Sequence, residues 1–144
     1  MDLFSKLKDI KILLVDDDEW IRGSMTLSFR SKGCHLLALE TAEDGLEAIK
    51  RQRYDIIICD YRLPGMDGLK FLKLVTKSRP DTMKVLMTAY ANIEVAAEAI
   101  KIGVHDFIQK PISAKTIEAS LTRLIEKHEK SLCALRQWQK DDRD

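Results

Sequence analysis

Three carboxylates stand at the ends of two apolar runs. Asp16 and Asp17 follow Lys11-Ile12-Leu13-Leu14-Val15, and Asp60 follows Ile56-Ile57-Ile58-Cys59. Short apolar runs of this kind read as buried strands, and strand tips in an open parallel sheet are where ligands bind. If the two strands are neighbours, the carboxylates converge, and their repulsion is costly unless a cation neutralises it. Carboxylates together with water and a backbone carbonyl are hard oxygen ligands that suit Mg2+. Two further strand ends deliver a hydroxyl, Thr88, beside small Ala89, and an ammonium, Lys110, beside Pro111. A hydroxyl, an ammonium and Mg2+ together match the three oxygens of a phosphoryl group. Asp60 would then be the nucleophile that forms an aspartyl phosphate. Asp18 and Glu19 instead suit the capping of the helix that follows.

The elements that must carry these residues alternate along the chain. Strand-like runs cover Lys11 to Val15, Cys34 to Glu40, Ile56 to Asp60, Met83 to Thr88 and His105 to Gln109. Helical spacing links Trp20, Ile21, Met25 and Phe29, and Gly33 is a plausible stop. Thr41, Asp67, Asn92 and Ser113 are placed to cap the later helices, and Gly103 to end one of them. Regular βα alternation implies a parallel sheet with helices on both faces. The first and third strands are the most apolar and suit central positions; the fifth suits an edge. Cys34 and Cys59 read as small apolar fillers of strands. In the last helix Ile117, Leu121, Leu124, Ile125, Leu132, Leu135 and Trp138 keep a helical rhythm to about residue 139, beyond what the sheet needs. That extension reads either as a frayed tail or as an amphipathic segment that meets a partner helix or another domain.

Composition removes several classes of function. A length of 144 residues fits one domain, and a net charge of +1 gives no electrostatic case for nucleic acid binding. No apolar run approaches the roughly 20 residues of a membrane span. The first residues lack the apolar centre of a signal peptide, so the cytoplasm is expected. Three well-separated cysteines, Cys34, Cys59 and Cys133, form neither a disulfide framework nor a zinc site.

Four stretches resemble, in order and spacing, the receiver domain of two-component response regulators. They are Leu14-Val15-Asp16-Asp17-Asp18, Ile58-Cys59-Asp60-Tyr61-Arg62-Leu63-Pro64-Gly65-Met66-Asp67-Gly68, Met87-Thr88-Ala89 and Lys110-Pro111. The resemblance covers residues 9–127, with 128–144 as a helical extension or linker. It implies an α/β, flavodoxin-like, doubly wound sheet of five parallel strands in order 2-1-3-4-5 with five helices, the last extended. It further implies that Asp60 takes a phosphoryl group from a sensor histidine kinase or phosphotransfer protein. By the same resemblance Asp16, Asp17, Asp60 and the backbone carbonyl of Arg62 hold Mg2+, Asp16 partly through water. Thr88 and Lys110 bind phosphoryl oxygens, and Thr88 and Phe107 form the switch. Arg62 and Tyr90 correspond to positions that tune loss of the phosphoryl group, and a ring at Tyr90 would shield it for a long lifetime. Phe107 lacks the hydroxyl of the Tyr frequent there, and Ile112 stands where Phe is frequent.

The resemblance also implies a signalling face on the helix after the fourth strand, the fifth strand and the final helix. Ile93, Ala97, Lys101 and His105 are candidates on it. Homodimerisation through that face or through the C-terminal helix is expected, and direct nucleic acid or membrane contact is not. Three other readings fit less of the chain. A haloacid-dehalogenase-type phosphatase accounts for Asp16-Asp17-Asp18 but leaves Asp60 unexplained. A flavodoxin-type carrier would set three acids against its own cofactor phosphate. A phosphorylation-independent adaptor leaves every chemical group unused. The expected whole is the first part of a larger regulator, with a stand-alone single-domain regulator as the alternative.

Overall fold

The computed structural model describes residues 2–89 and 92–127. In chain order the elements are α1 (Leu3–Leu7), β1 (Lys11–Val15), α2 (Glu19–Ser31), β2 (His35–Leu39) and α3 (Ala42–Arg51). They continue as β3 (Ile56–Asp60), α4 (Gly68–Ser78), β4 (Met83–Thr88), α5 (Ile93–Ile102) and β5 (Asp106–Gln109), then a final helix, α6, over 114–127. The strands are parallel and ordered β2-β1-β3-β4-β5, as expected. The alternation of strand and helix is present, preceded by one short helix, α1, that the periodicity did not reveal.

Alternation of side chains along each strand divides the core in two. Ile12, Leu14, Ile56, Ile58, Val85 and Met87 face α1, α2 and α6, while Leu13, Val15, Ile57, Cys59 and Leu86 face α3, α4 and α5. Burial of all five β3 residues makes it a central strand, and β5 is an edge. The four expected caps form: Thr41, Asp67 and Asn92 accept backbone N–H bonds at 2.8–3.1 Å, and Ser113 accepts one at 3.3 Å. Gly103 ends α5 at φ 95°, a left-handed conformation that favours glycine.

Three sequence expectations shift. Trp20 does not join the core of α2: Ile21, Met25 and Phe29, at i, i+4 and i+8, form the buried stripe, and Trp20, about 100° off it, is 74% exposed. Cys34 is buried but lies before β2, where its N–H bonds the Phe29 carbonyl and closes the α2 turn. His105 precedes β5, although its N–H reaches the Lys84 carbonyl and its Nδ1 accepts the Lys84 N–H at 3.0 Å. Cys59 fills its strand as expected. The extension beyond residue 127, with Leu132, Cys133, Leu135 and Trp138, lies outside the described residues, as does Tyr90. Among the described residues no helix is long and apolar enough to cross a membrane.

Candidate functional site

The sheet order makes β1 and β3 neighbours, with Val15 registered on Cys59, so Asp16 and Asp60 leave the sheet side by side. One oxygen from each of Asp16, Asp17 and Asp60 can be chosen so that all lie within 4.8 Å of one another. Asp16 is fully buried, Asp60 nearly so, and Asp17 is exposed. β4 and β5 close the other side. The Lys110 N–H donates to the Thr88 carbonyl at 2.8 Å, which extends their pairing beyond the strand ends. Thr88 itself is buried at the tip of β4. The Lys110–Pro111 peptide is cis.

Lys110 Nζ donates to Asp60 Oδ2 at 2.8 Å and lies 3.0 Å from Asp16 Oδ2. The second contact is an ion pair without hydrogen-bond alignment, so among the described residues Asp16 Oδ2 is a buried oxygen lacking a hydrogen bond. Such a buried anionic oxygen, ion-paired but without a hydrogen bond and flanked by two more carboxylates, belongs to a donor set that fits a hard divalent cation. Burial raises the Asp60 carboxyl above its ordinary range; the Lys110 bond opposes this and nearby Asp16 reinforces it. For Lys110, burial works to lower the pKa, but the bond to Asp60 and the negative charge of Asp16 outweigh it and hold the ammonium charged. Burial and the neighbouring acids push the Cys59 thiol well up, so this cysteine is not a competing nucleophile.

Local structure holds the loops in place. The Asp18 N–H donates to Asp16 Oδ1 at 2.9 Å, and the Asp18 carboxylate caps α2 through the N–H groups of Trp20 and Ile21. After β3, the Tyr61 N–H bonds the Met87 carbonyl at 2.7 Å and the Arg62 N–H lies 3.4 Å from Asp60 Oδ1. Gly68 is the first residue of α4 and is buried. A Cβ at this position would collide with the Asp60 backbone carbonyl, so the start of α4 can seat against the end of β3 only without a side chain. The Arg62 side chain is exposed, in a cleft of about 350 Å3 with Tyr61, Leu63, Asp67 and Asn92. Phe107 is half-buried against the α3–α5 layer of the core. A larger cleft, about 520 Å3, lies by Lys11, His35 and Tyr54 and includes none of the predicted site residues.

Asp16, Asp17, Asp60 and Lys110 are therefore brought together, with Thr88 beside them on β4 and Phe107 on the adjacent strand. Arg22 was missed: its Nη1 donates to the Asp16 backbone carbonyl at 3.0 Å, a link between main chain and side chain that no motif announces.

Residues 12–122 match the family described as the response regulator receiver domain. The chain belongs to this receiver family. It is a phosphoacceptor module of two-component phosphorelay signalling rather than a conventional enzyme, and a receiver implies a histidine kinase as partner. The receiver is 32% identical over 117 residues to the transcriptional regulatory protein ZraR of Escherichia coli, covering 81% of this chain and 26% of that protein. It is 34% identical over 107 residues to the response regulator protein FleR of Pseudomonas aeruginosa, covering 74% of this chain and 23% of that one. This chain thus spans about a quarter of the length of these relatives. Among solved structures, a CheY-like receiver domain protein from Methanospirillum hungatei superposes with a TM-score of 0.79 at 28% identity, covering 84% of this chain and 97% of that one. The Vibrio cholerae chemotaxis protein CheY4 gives 0.74 at 26%, with coverages of 79% and 97%. The acidic trio is of the kind that holds the metal in receivers.

Proposed function

We propose that Asp60 is the phosphoacceptor, in a cytoplasmic receiver spanning residues 9–127. An Asp60 oxygen attacks the phosphorus of a donor phosphohistidine, on a sensor kinase or a phosphotransfer protein. The P–N bond breaks and its electron pair returns to the imidazole nitrogen. The observation that carries this reading is the meeting of Asp60 with Asp16 and Asp17 within 4.8 Å, and with Lys110 at 2.8 Å. Lys110 and Thr88 bind the oxygens of the arriving group; Lys110 leaves its present ion pairs to do so. Asp16, Asp17, Asp60 and the Arg62 carbonyl would hold Mg2+, with Asp16 acting partly through water. When bound, that ion supplies neutralisation of charge on the transferring oxygens.

Retention of the phosphoryl group then draws Thr88 inward as the Phe107 ring turns in, shifting the α5–β5–α6 surface between two states. Arg62 and Tyr90 set how long the group persists. The exposed apolar residues of α5 support that surface as the place where two copies meet; the C-terminal extension is a second route to a dimer. Coverage of only a quarter of its relatives supports a receiver that belongs to a longer regulator, with 128–144 leading to the output.

The test is incubation with acetyl phosphate and Mg2+, read by intact mass. Wild type should gain one phosphoryl group, and Asp60→Asn none while keeping its fold. No gain by wild type would sink the reading in favour of an adaptor. After donor removal the same assay follows decay, and an unchanged rate in Tyr90→Ala removes the shielding role.

A further inference from the structure

Arg22 sits one turn into α2, half-buried, with its guanidinium at the main chain of the β1 tip that carries Asp16 and Asp17. A guanidinium so placed would ordinarily form a bidentate pair with an acid. Among the described residues Arg22 makes no ion pair; its Nη1 donates to the Asp16 main-chain carbonyl at 3.0 Å. That carbonyl belongs to the peptide joining Asp16 to Asp17, and holding it fixes where Cα of Asp17 lies. The other two acids have direct anchors. Asp16 accepts from the Asp18 N–H at 2.9 Å, and Asp60 accepts from Lys110 at 2.8 Å. The Asp17 carboxylate has neither a hydrogen bond nor an ion pair among the described residues, so its aim depends on the main chain alone. Thr26 Oγ1, one turn further along, donates to the Arg22 carbonyl at 2.7 Å and steadies the helix beneath it.

We propose that Arg22 is a positioning residue for the metal: by pinning the Asp16–Asp17 peptide it directs the Asp17 carboxylate at the cation shared with Asp16 and Asp60. The inference rests on the Mg2+ site proposed above. It explains why the positive charge is applied to a carbonyl, because an Arg paired with Asp17 would compete with the cation for the same oxygens. It also makes a prediction whose sign separates two roles. If Arg22 acted only through its charge, removing it would relieve repulsion of a dication and tighten binding. If it acts by positioning, removing it weakens binding, and loss of such an outer partner typically costs a metal site about 10–100-fold.

The experiment is calorimetric titration of Mg2+ into the full chain, with thermal unfolding of the same samples in EDTA. Arg22→Met should weaken Mg2+ binding by about tenfold, with its unfolding midpoint in EDTA unchanged from wild type. Equal or tighter binding overturns the proposal, and so does weaker binding that comes with a lowered midpoint, which marks a merely structural role. Should Arg22→Met fail to fold, Arg22→Lys is judged by the same two criteria, since an ammonium keeps the charge but loses the planar fork. Wild type that binds no Mg2+, or Asp17→Asn that binds as wild type does, refutes the metal site itself and is distinguishable from failure of the Arg22 proposal.

Discussion

At Lys84 a cation is buried near the start of β4, only 1% exposed, with Nζ donating to the Thr82 carbonyl at 2.9 Å. The apolar character of β4 hid this residue, because a single lysine in such a run reads as tolerable. Burial lowers its pKa below the ordinary lysine range, with the charge of Asp81 opposing. The folded chain therefore binds this proton less tightly than the unfolded chain does. Its burial costs stability at all pH values below the folded pKa, and the cost fades as pH climbs toward the unfolded value. Urea unfolding of wild type and Lys84→Met at pH 7 and at about pH 10 isolates the effect, since the other lysines cancel. Wild type should gain stability relative to the variant at the higher pH; a constant difference would assign no ionic cost to Lys84.

Among the elements, α1 is the one that periodicity could not announce, being five residues long. Asp2 caps it by accepting the Ser5 N–H at 2.9 Å, and Leu7 is fully buried in the layer formed with α2 and α6. Phe4 meets Phe29 edge-on at 5.7 Å, and Lys32 lies over the Phe4 ring. The helix is thus held by tertiary contacts rather than by its own propensity, which is too weak at this length. Leu7→Ala should cost about 3 kcal/mol in urea unfolding while leaving phosphoryl uptake intact, because α1 contributes none of the site residues. A loss well below 1 kcal/mol would mean that α1 does not hold the core closed. The caps of the longer helices behave in the opposite way. Thr41, Asp67 and Asn92 were legible because a cap depends on residues three apart in sequence.

For the whole molecule, the question is which surface reports the state of Asp60. α5 turns Val95 and Ala99 inward and leaves Ile93 and Ile100 out, 87% and 76% exposed. Two large aliphatic side chains two turns apart on one exposed helix face favour a partner surface. Their burial between two copies would also explain why this helix tolerates them. Sedimentation of the phosphorylated chain should therefore show a dimer, and Ile93→Glu/Ile100→Glu a monomer at the same concentration with phosphoryl uptake unchanged. A variant that still dimerises would move the contact to another surface, the C-terminal extension first.

The sequence by itself determined the alternation of strands and helices, the caps and the chemical groups at four strand tips. All of these are encoded locally, in apolar runs, cap spacing and the residue that ends each run. Even the neighbouring of β1 and β3 was an expectation that rested on resemblance. Only the tertiary structure decided which oxygens meet. It set Lys110 Nζ against both Asp60 and Asp16, left Asp16 Oδ2 without a hydrogen bond, and gave the Arg22 guanidinium a backbone carbonyl instead of a carboxylate. The close seat of Gly68 against Asp60 and the burial of Leu7 were decided there too. The physical reason is the same in each case: the partner lies on another element or is a main-chain atom. Side-chain spacing along one chain carries no record of either.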